Sequence, residues 1–195
     1  MKLYLIRHGQ SDANIKRYFA GQMQVNLTDN GILQAKYAGE LIKHIKFDKV
    51  YSSDLFRAMD TQKYALPDFD CETTSLLREI DVGNLSGILL SDCLEKYGDA
   101  LRKNIADYDF KPYGGEDSIM LKARVKDFLD LITDSNHNTI AAFCHGGIIT
   151  AVIEYLLGIN TDKYFFEASN CSVTILDYTD KRWKLQLYNY TGPNI

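Results

Sequence analysis

The chain has no excess of basic residues: 22 Lys and Arg stand against 26 Asp and Glu, a formal net charge of −4. Bulk nucleic-acid binding relies on a basic surface that neutralises phosphates, so that class is not expected. An anionic small molecule stays open, because a few local arginines can outweigh a mildly acidic whole. No apolar run approaches the ~20 residues of a membrane-spanning helix, so no membrane partner is expected either. The opening MKLYLIRHGQ is too short in apolar residues for a secretory leader and lacks a small-residue cleavage site. Cysteine is sparse, with Cys71, Cys93, Cys144 and Cys171 far apart and no C-x-x-C. Neither a disulfide framework nor a zinc site is a good reading of that spacing. Reduced, buried cysteines in a cytoplasmic protein fit better. Repeats, low-complexity tracts and linkers are also lacking, and 195 residues suit one domain over 1–195.

Several chemical signatures are missing as well. There is no Walker G-x-x-x-x-G-K-[ST], no dinucleotide G-x-G-x-x-G and no H-E-x-x-H. A cysteine phosphatase needs an arginine six positions after its cysteine, and six beyond Cys144 stands Thr150. Cys144 and His145 are also strand neighbours whose side chains should diverge. A metal-dependent phosphatase wants several Asp and His ligands at strand ends, where only Asp54 and Asp81 offer themselves. No metal and no cofactor are therefore expected.

What is present is an alternation of short apolar strands and amphipathic helices. Strands are predicted at 2–6, 48–51, 71–77 and 138–143. Helices are predicted at 28–44 behind Thr28, at 55–65 ended by Pro67, at 116–133, and from Gly147 to Leu157 with Gly158 as the stop. Residues 171–178 and 183–190 read as a closing hairpin joined at Thr179–Arg182. The stretch 85–115 reads as irregular, with a short helix near Cys93–Tyr97, and as an insertion over the sheet edge. The pattern argues for a three-layer α/β/α sandwich, an α/β fold with a mostly parallel central sheet and an antiparallel C-terminal strand.

Ligands collect at the carboxyl ends of strands in such folds. The residues there are Arg7-His8-Gly9, Ser52-Ser53-Asp54, Arg78-Glu79 and His145-Gly146. His44 and His137 read as solvated. His8 and His145 each follow an apolar strand and precede glycine, which lets backbone N–H groups approach an anion. Arg7 and His8 can serve one site only if the strand breaks at Gly9, since alternate strand residues face opposite ways. Arg57 follows the second strand, and an arginine fork suits phosphate oxygens. Glu79 is the natural proton donor to a leaving oxygen, with Asp81 as its rival. A nearby phosphate dianion favours the protonated form of a carboxyl.

These residues sit in motifs that resemble the histidine phosphatase, or phosphoglycerate mutase-like, superfamily, in family order over nearly the whole chain. The motifs are LIRHGQSDAN (5–14), GQMQVNLTDNGILQA (21–35), YSSDLFRAMDTQ (51–62), LLREIDVGNLSG (76–87), YGGEDS (113–118) with Arg124-Val125, FCHGGII (143–149) and SNCSVTIL (169–176). Gln10 stands where many relatives have Glu. The resemblance implies that His8 is the nucleophile and becomes phosphohistidine. It implies that Arg7, Arg57 and His145 bind the phosphoryl group, that Asn14 lies near it, and that Glu79 is general acid and then base. No metal is implied.

The family holds hydrolases and mutases. Lys96-Tyr97-Gly98-Asp99 resembles the cofactor-dependent phosphoglycerate mutases, which continue with paired arginines. ALRKNIADYDFKP (100–112) has Arg102 and Lys103 but no such run. A phosphatase is therefore the preferred reading, with a mutase second and a non-catalytic phosphate sensor third. The 85–115 segment is expected to form a substrate lid, with Lys96, Tyr97, Arg102, Lys103, Lys111 and Tyr113 near the leaving group. The expected partner is a small phosphorylated metabolite, with a homodimer as the only macromolecular association considered. Sugar phosphates, phosphoglycerates, nucleotides and α-ribazole phosphate all stay open.

Overall fold

A computed structural model describes residues 1–159 and 166–193. Its sheet is built from β1 (Lys2–Arg7), β2 (Lys49–Ser53), β3 (Cys71–Thr74), β4 (Thr139–Cys144), β5 (Val173–Thr179) and β6 (Arg182–Tyr190), in the order β3-β2-β4-β1-β5-β6. The first four strands in that order run parallel, and β5 runs antiparallel to both β1 and β6. The helices are α1 (Asp12–Lys16), α2 (Asp29–Ile42), α3 (Phe56–Ala65), α4 (Leu90–Asp107), α5 (Ser118–Thr133) and α6 (Gly146–Leu157).

The central strands are apolar along their length because both faces are covered. Leu3 and Leu5 of β1 join one core with Phe128 and Ile132 of α5 and Ile149 and Val152 of α6. Tyr4 and Ile6 point the other way, into a core with Ile42 of α2 and Ala65 of α3. This is the expected three-layer sandwich. Thr28 caps α2 by accepting from Gly31 N at 3.0 Å, and Asp117 caps α5 by accepting from Met120 N at 2.8 Å.

Three local expectations need correction, and one short helix went unpredicted. The third strand ends at Thr74 rather than residue 77, and Ser75–Leu77 form a single 3₁₀ turn. Thr74 Oγ1 accepts from Leu76 N at 3.2 Å, a local bond that competes with strand pairing. The segment after Leu89 is a long helix, α4, broken only at Gly98 with φ +56°. Its inward residues, Cys93, Leu94, Tyr97, Leu101 and Ile105, keep helical spacing. Interleaved charges and Gly98 hide that pattern in the text. The hairpin loop is two residues, Asp180-Lys181, both with positive φ (53° and 59°), as a tight turn between twisted strands requires. The five-residue α1 has too few apolar positions for a periodicity reading.

The register decides where the site lies. Arg7 pairs with Cys144, Phe143 with Ser52, and Ser53 with Thr74. Four strands thus end level, and the segments leaving them open onto one edge.

Candidate active site

Strand β1 stops at Arg7, two residues before Gly9, so the alternation that would separate Arg7 from His8 no longer applies. His8 N donates to Cys144 O at 2.9 Å. Gly9 N donates to Thr61 Oγ1 of α3 at 2.9 Å, and a Cβ on Gly9 would stand 2.5 Å from Gly31 O. The chain turns there because α2 and α3 close on it. Arg7 and His8 consequently line one cavity of about 250 Å³, together with Asn14, Arg57 and Glu79.

His8 is 4 % exposed and its Nδ1 lies 2.7 Å from Gly9 O. A carbonyl only accepts, so Nδ1 carries the proton and Nε2 keeps its lone pair. Burial, then Arg57 and Arg7, holds the His8 pKa well below its ordinary value, keeping the ring neutral. The His145 ring lies 5.1 Å away, centre to centre. Burial and the same arginines keep it neutral too. Its Nε2 sits 2.9 Å from Ser53 Oγ, which accepts from Leu55 N at 3.3 Å. Its Nδ1 is buried with no partner.

The arginines are held by carbonyls rather than carboxylates. Arg57, 1 % exposed, donates from Nη2 to Gly21 O at 2.8 Å and from Nη1 to Met23 O at 2.9 Å. Burial lowers its pKa to about 10, which leaves it cationic at neutral pH. Arg7 donates from Nη1 to Ala168 O, while its Nε is buried without a partner. Among the described residues no carboxylate forms an ion pair with either arginine, so both charges are available to an anion. An orphaned buried donor is costly, and a phosphoryl oxygen is the acceptor that would satisfy it.

Glu79 does not stand at a strand end. It lies in the loop after the 3₁₀ turn, and its carboxylate accepts from Ile80 N at 3.0 Å and from Gly147 N at 3.3 Å. A Cβ at Gly147 would overlap Glu79 Oε1, so any larger residue there would push the Glu79 carboxylate out of this position. Asp81 caps its own turn by accepting from Gly83 N at 2.8 Å and does not line the cavity. Asp54 is in a fork-to-fork pair with Arg78 at 2.6 and 2.7 Å. Asn14 is exposed at the rim, and its Oδ1 accepts from Ser11 N at 3.0 Å. The Cys144 thiol is pushed up by complete burial, the opposite of what a thiolate nucleophile needs.

The lid residues are elsewhere. Lys96 lies over the Tyr97 ring, which packs edge-on against Tyr113 at 5.1 Å. Arg102 pairs with Asp99 at 3.5 Å, Lys103 with Asp107, and Lys111 with Asp117 at 2.5 Å. None of these six lines the cavity; from that segment Ile105, Tyr108 and Phe110 do.

Several supporting residues lie at strand ends or within the motifs, where the sequence alone assigns them no role. Ser53 orients His145, Thr61 fixes Gly9, and Asn170 Nδ2 donates to His8 O at 3.0 Å. Arg124, recognisable only as part of a motif, pairs with Glu116 at 2.7 and 2.8 Å. It also donates to the carbonyls of Leu76, Arg78 and Glu79, stapling the loop that carries Glu79.

A parallel α/β edge with paired neutral imidazoles and uncompensated arginines defines a phosphotransfer class of protein. The family model for the histidine phosphatase superfamily (branch 1) matches residues 3–191, and the chain belongs to that superfamily. It is 34 % identical over 187 residues to a 2,3-bisphosphoglycerate-dependent phosphoglycerate mutase of Brucella melitensis, covering 89 % of this chain and 90 % of that one. A second mutase, from Lactobacillus johnsonii, is 47 % identical over 105 residues, but the match spans only 46 % of its length. Among solved structures, a mycobacterial glucosyl-3-phosphoglycerate phosphatase bound to VO3 superposes with a TM-score of 0.89 at 26 % identity, covering 96 % of this chain and 98 % of that one. A phosphoserine phosphatase of Entamoeba histolytica gives 0.82 at 29 % identity, covering 97 % of each chain. These two sequence relatives are mutases, and these two structural neighbours are phosphatases. Among the described residues, no helix is long and apolar enough to cross a membrane.

Proposed function

We propose that the protein is a metal-independent phosphatase that hydrolyses small phosphate monoesters through a phosphohistidine on His8. One observation carries the reading: a neutral His8 with a free Nε2 shares a cavity with Arg57 and with Arg7, whose buried Nε has no partner, and the ring of His145, whose buried Nδ1 is also unpartnered, lies 5.1 Å from the His8 ring. Arg7, Arg57 and His145 would grip the three non-bridging phosphoryl oxygens. His8 Nε2 attacks phosphorus, the ester P–O bond breaks, and protonated Glu79 delivers its proton to the leaving oxygen. Water then attacks the phosphohistidine, Glu79 takes its proton, and inorganic phosphate leaves. For His145 to donate from Nδ1, Nε2 must accept, and Ser53 supplies that proton. Its Oγ already accepts from Leu55 N, so its own O–H is free to donate.

Two arginines and their surrounding N–H groups supply the charge stabilisation that a metal provides elsewhere. A mutase must in addition hold a second acidic group and retain its intermediate. Arg102, Lys103 and Lys111 of the 85–115 segment are engaged with Asp99, Asp107 and Asp117 instead, and Lys96 lies over the Tyr97 ring, which favours the phosphatase. Sequence relatives keep the mutase as the second reading. The deciding experiment offers the purified chain an alkyl phosphate with EDTA, and separately 3-phosphoglycerate with its bisphosphate primer. Phosphate release in EDTA without isomerisation is expected. Loss of all activity in EDTA would overturn the metal-free mechanism, and rapid isomerisation would make the protein a mutase.

A further inference from the structure

The wall facing the phosphoryl site is apolar. Phe19, Ile80, Val82, Ile105, Tyr108 and Phe110 line the same cavity as His8, Arg57 and Glu79. Phe110 is the hub of this wall: Phe19 meets it edge-on at 6.1 Å and Tyr108 at 6.3 Å. The wall is also rigid. Phe19 N donates to Ile88 O at 3.1 Å and Gly87 N to Phe19 O at 2.8 Å. Phe110 N donates to Glu116 O at 2.8 Å, and Gly115 N returns to Phe110 O at 3.0 Å. Such backbone pairs hold the rings in place before any ligand arrives, which lowers the entropic cost of binding.

The charges complete the pattern. Among the described residues, the only cations lining this cavity or the adjoining opening are Arg7 and Arg57, both committed to the phosphoryl site. The opening adds a second carboxylate, Glu167, beside Glu79. A leaving group with its own carboxylate or phosphate would meet the Glu167 carboxylate and, among the described residues, no spare cation. An uncharged apolar one would meet rings and branched aliphatic chains.

From this we infer that, resting on the phosphatase reading, the enzyme selects monoesters whose organic part is uncharged and apolar, and discriminates against substrates bearing a second anionic group. Hydrophobic burial of one ring favours the apolar ester, and the Glu167 carboxylate with no cation to offset it among the described residues disfavours the acidic one. Phe110 and Ile105 are the specificity-determining positions, since both come from the segment that covers the site.

The test uses three alkyl phosphates, so that leaving-group acidity does not decide the outcome: 2-phenylethyl phosphate, glycerol 3-phosphate and 3-phosphoglycerate. The purified full chain should show a kcat/KM for 2-phenylethyl phosphate roughly 10- to 100-fold above glycerol 3-phosphate, with 3-phosphoglycerate lowest. Phe110→Ala and Ile105→Ser should each move the first ratio toward unity. Ile105→Lys should raise 3-phosphoglycerate relative to 2-phenylethyl phosphate. Ratios on one preparation cancel any loss of folded protein. Hydrolysis with glycerol 3-phosphate or 3-phosphoglycerate equal or preferred, or ratios untouched by all three variants, overturns the inference and leaves the phosphatase standing. No hydrolysis of any of the three overturns the phosphatase reading, and this inference falls with it.

Discussion

The floor and the roof of the cavity are built on different terms. The floor, Arg7, His8 and Arg57 with the His145 ring 5.1 Å from that of His8, comes from strand ends and one helix start, and each polar side chain is tied to a neighbour. His8 is bound to Gly9 O, Arg57 to Gly21 and Met23, Arg7 to Ala168, and His145 to Ser53. The roof, Ile105 to Phe110 with Phe19, presents carbon to the substrate and keeps its charges on the outer surface. The contrast teaches that chemistry and selectivity are separable here. The floor needs atoms held to a few tenths of an ångström, whereas an apolar roof needs only shape and can vary without disturbing them.

The largest test of that separation is His8→Ala, which should lower turnover of every phosphate ester by on the order of 10⁴-fold or more. Rapid-quench trapping of an acid-labile phosphoenzyme should fail in the same variant; a trapped intermediate there would move the nucleophile elsewhere. Glu79→Gln comes next. It should cost roughly 10²- to 10⁴-fold on alkyl esters, and far less on esters of acidic phenols, whose leaving oxygen needs no proton. Equal losses on both would remove Glu79 as the general acid. Arg57→Lys keeps a charge but not the fork that donates to two carbonyls and is proposed to reach the phosphoryl group. A loss of about 10²- to 10³-fold in kcat is expected, with substrate ratios unchanged. A change in selectivity instead would break the division between floor and roof.

Acid stability gives a smaller signal with a definite sign. His8 and His145 are held neutral in the fold, while the unfolded chain takes up protons near pH 6.5. Their contribution is complete above that value and is lost as pH falls below it, by up to about 1.4 kcal/mol per pH unit for each. Urea unfolding from pH 7.5 to 5.5 in phosphate-free buffer should show this slope, and His145→Gln should flatten it. An unchanged slope would mean that the ring is not held neutral. Smallest of all, Arg102→Ala on the outer face should leave kcat/KM within about 2-fold and stability within about 0.5 kcal/mol. A large loss would return that face to the site.

Much of the floor was legible in the text because its logic is local. His8-Gly9 and His145-Gly146 each follow an apolar strand, and apolar strands buried on both faces are hard to mistake. The roof was misread for an equally physical reason. Cys93, Leu101 and Ile105 point inward at helical spacing, but exposed charges between them and a break at Gly98 make the stretch look irregular. Conspicuous residues such as Lys96 and Arg102 then draw attention that Ile105 and Phe110 deserve more. Glu79 was singled out by its place after the third strand, yet that strand stops at Thr74 and Arg124 holds the loop that carries it.

By itself, then, the sequence determined the alternation of strands and helices, the family motifs and the residues that end each strand, because hydrophobic periodicity and glycine placement act over a few neighbouring positions. Tertiary structure alone decided that four strands end level, that Arg7 and His8 share a cavity, that His145 and Arg7 keep unpartnered donors, and that the covering segment shows its rings inward and its charges outward. Those facts depend on contacts between residues tens of positions apart, such as Gly9 with Thr61 and Ser53 with His145. Local pattern carries no information about them.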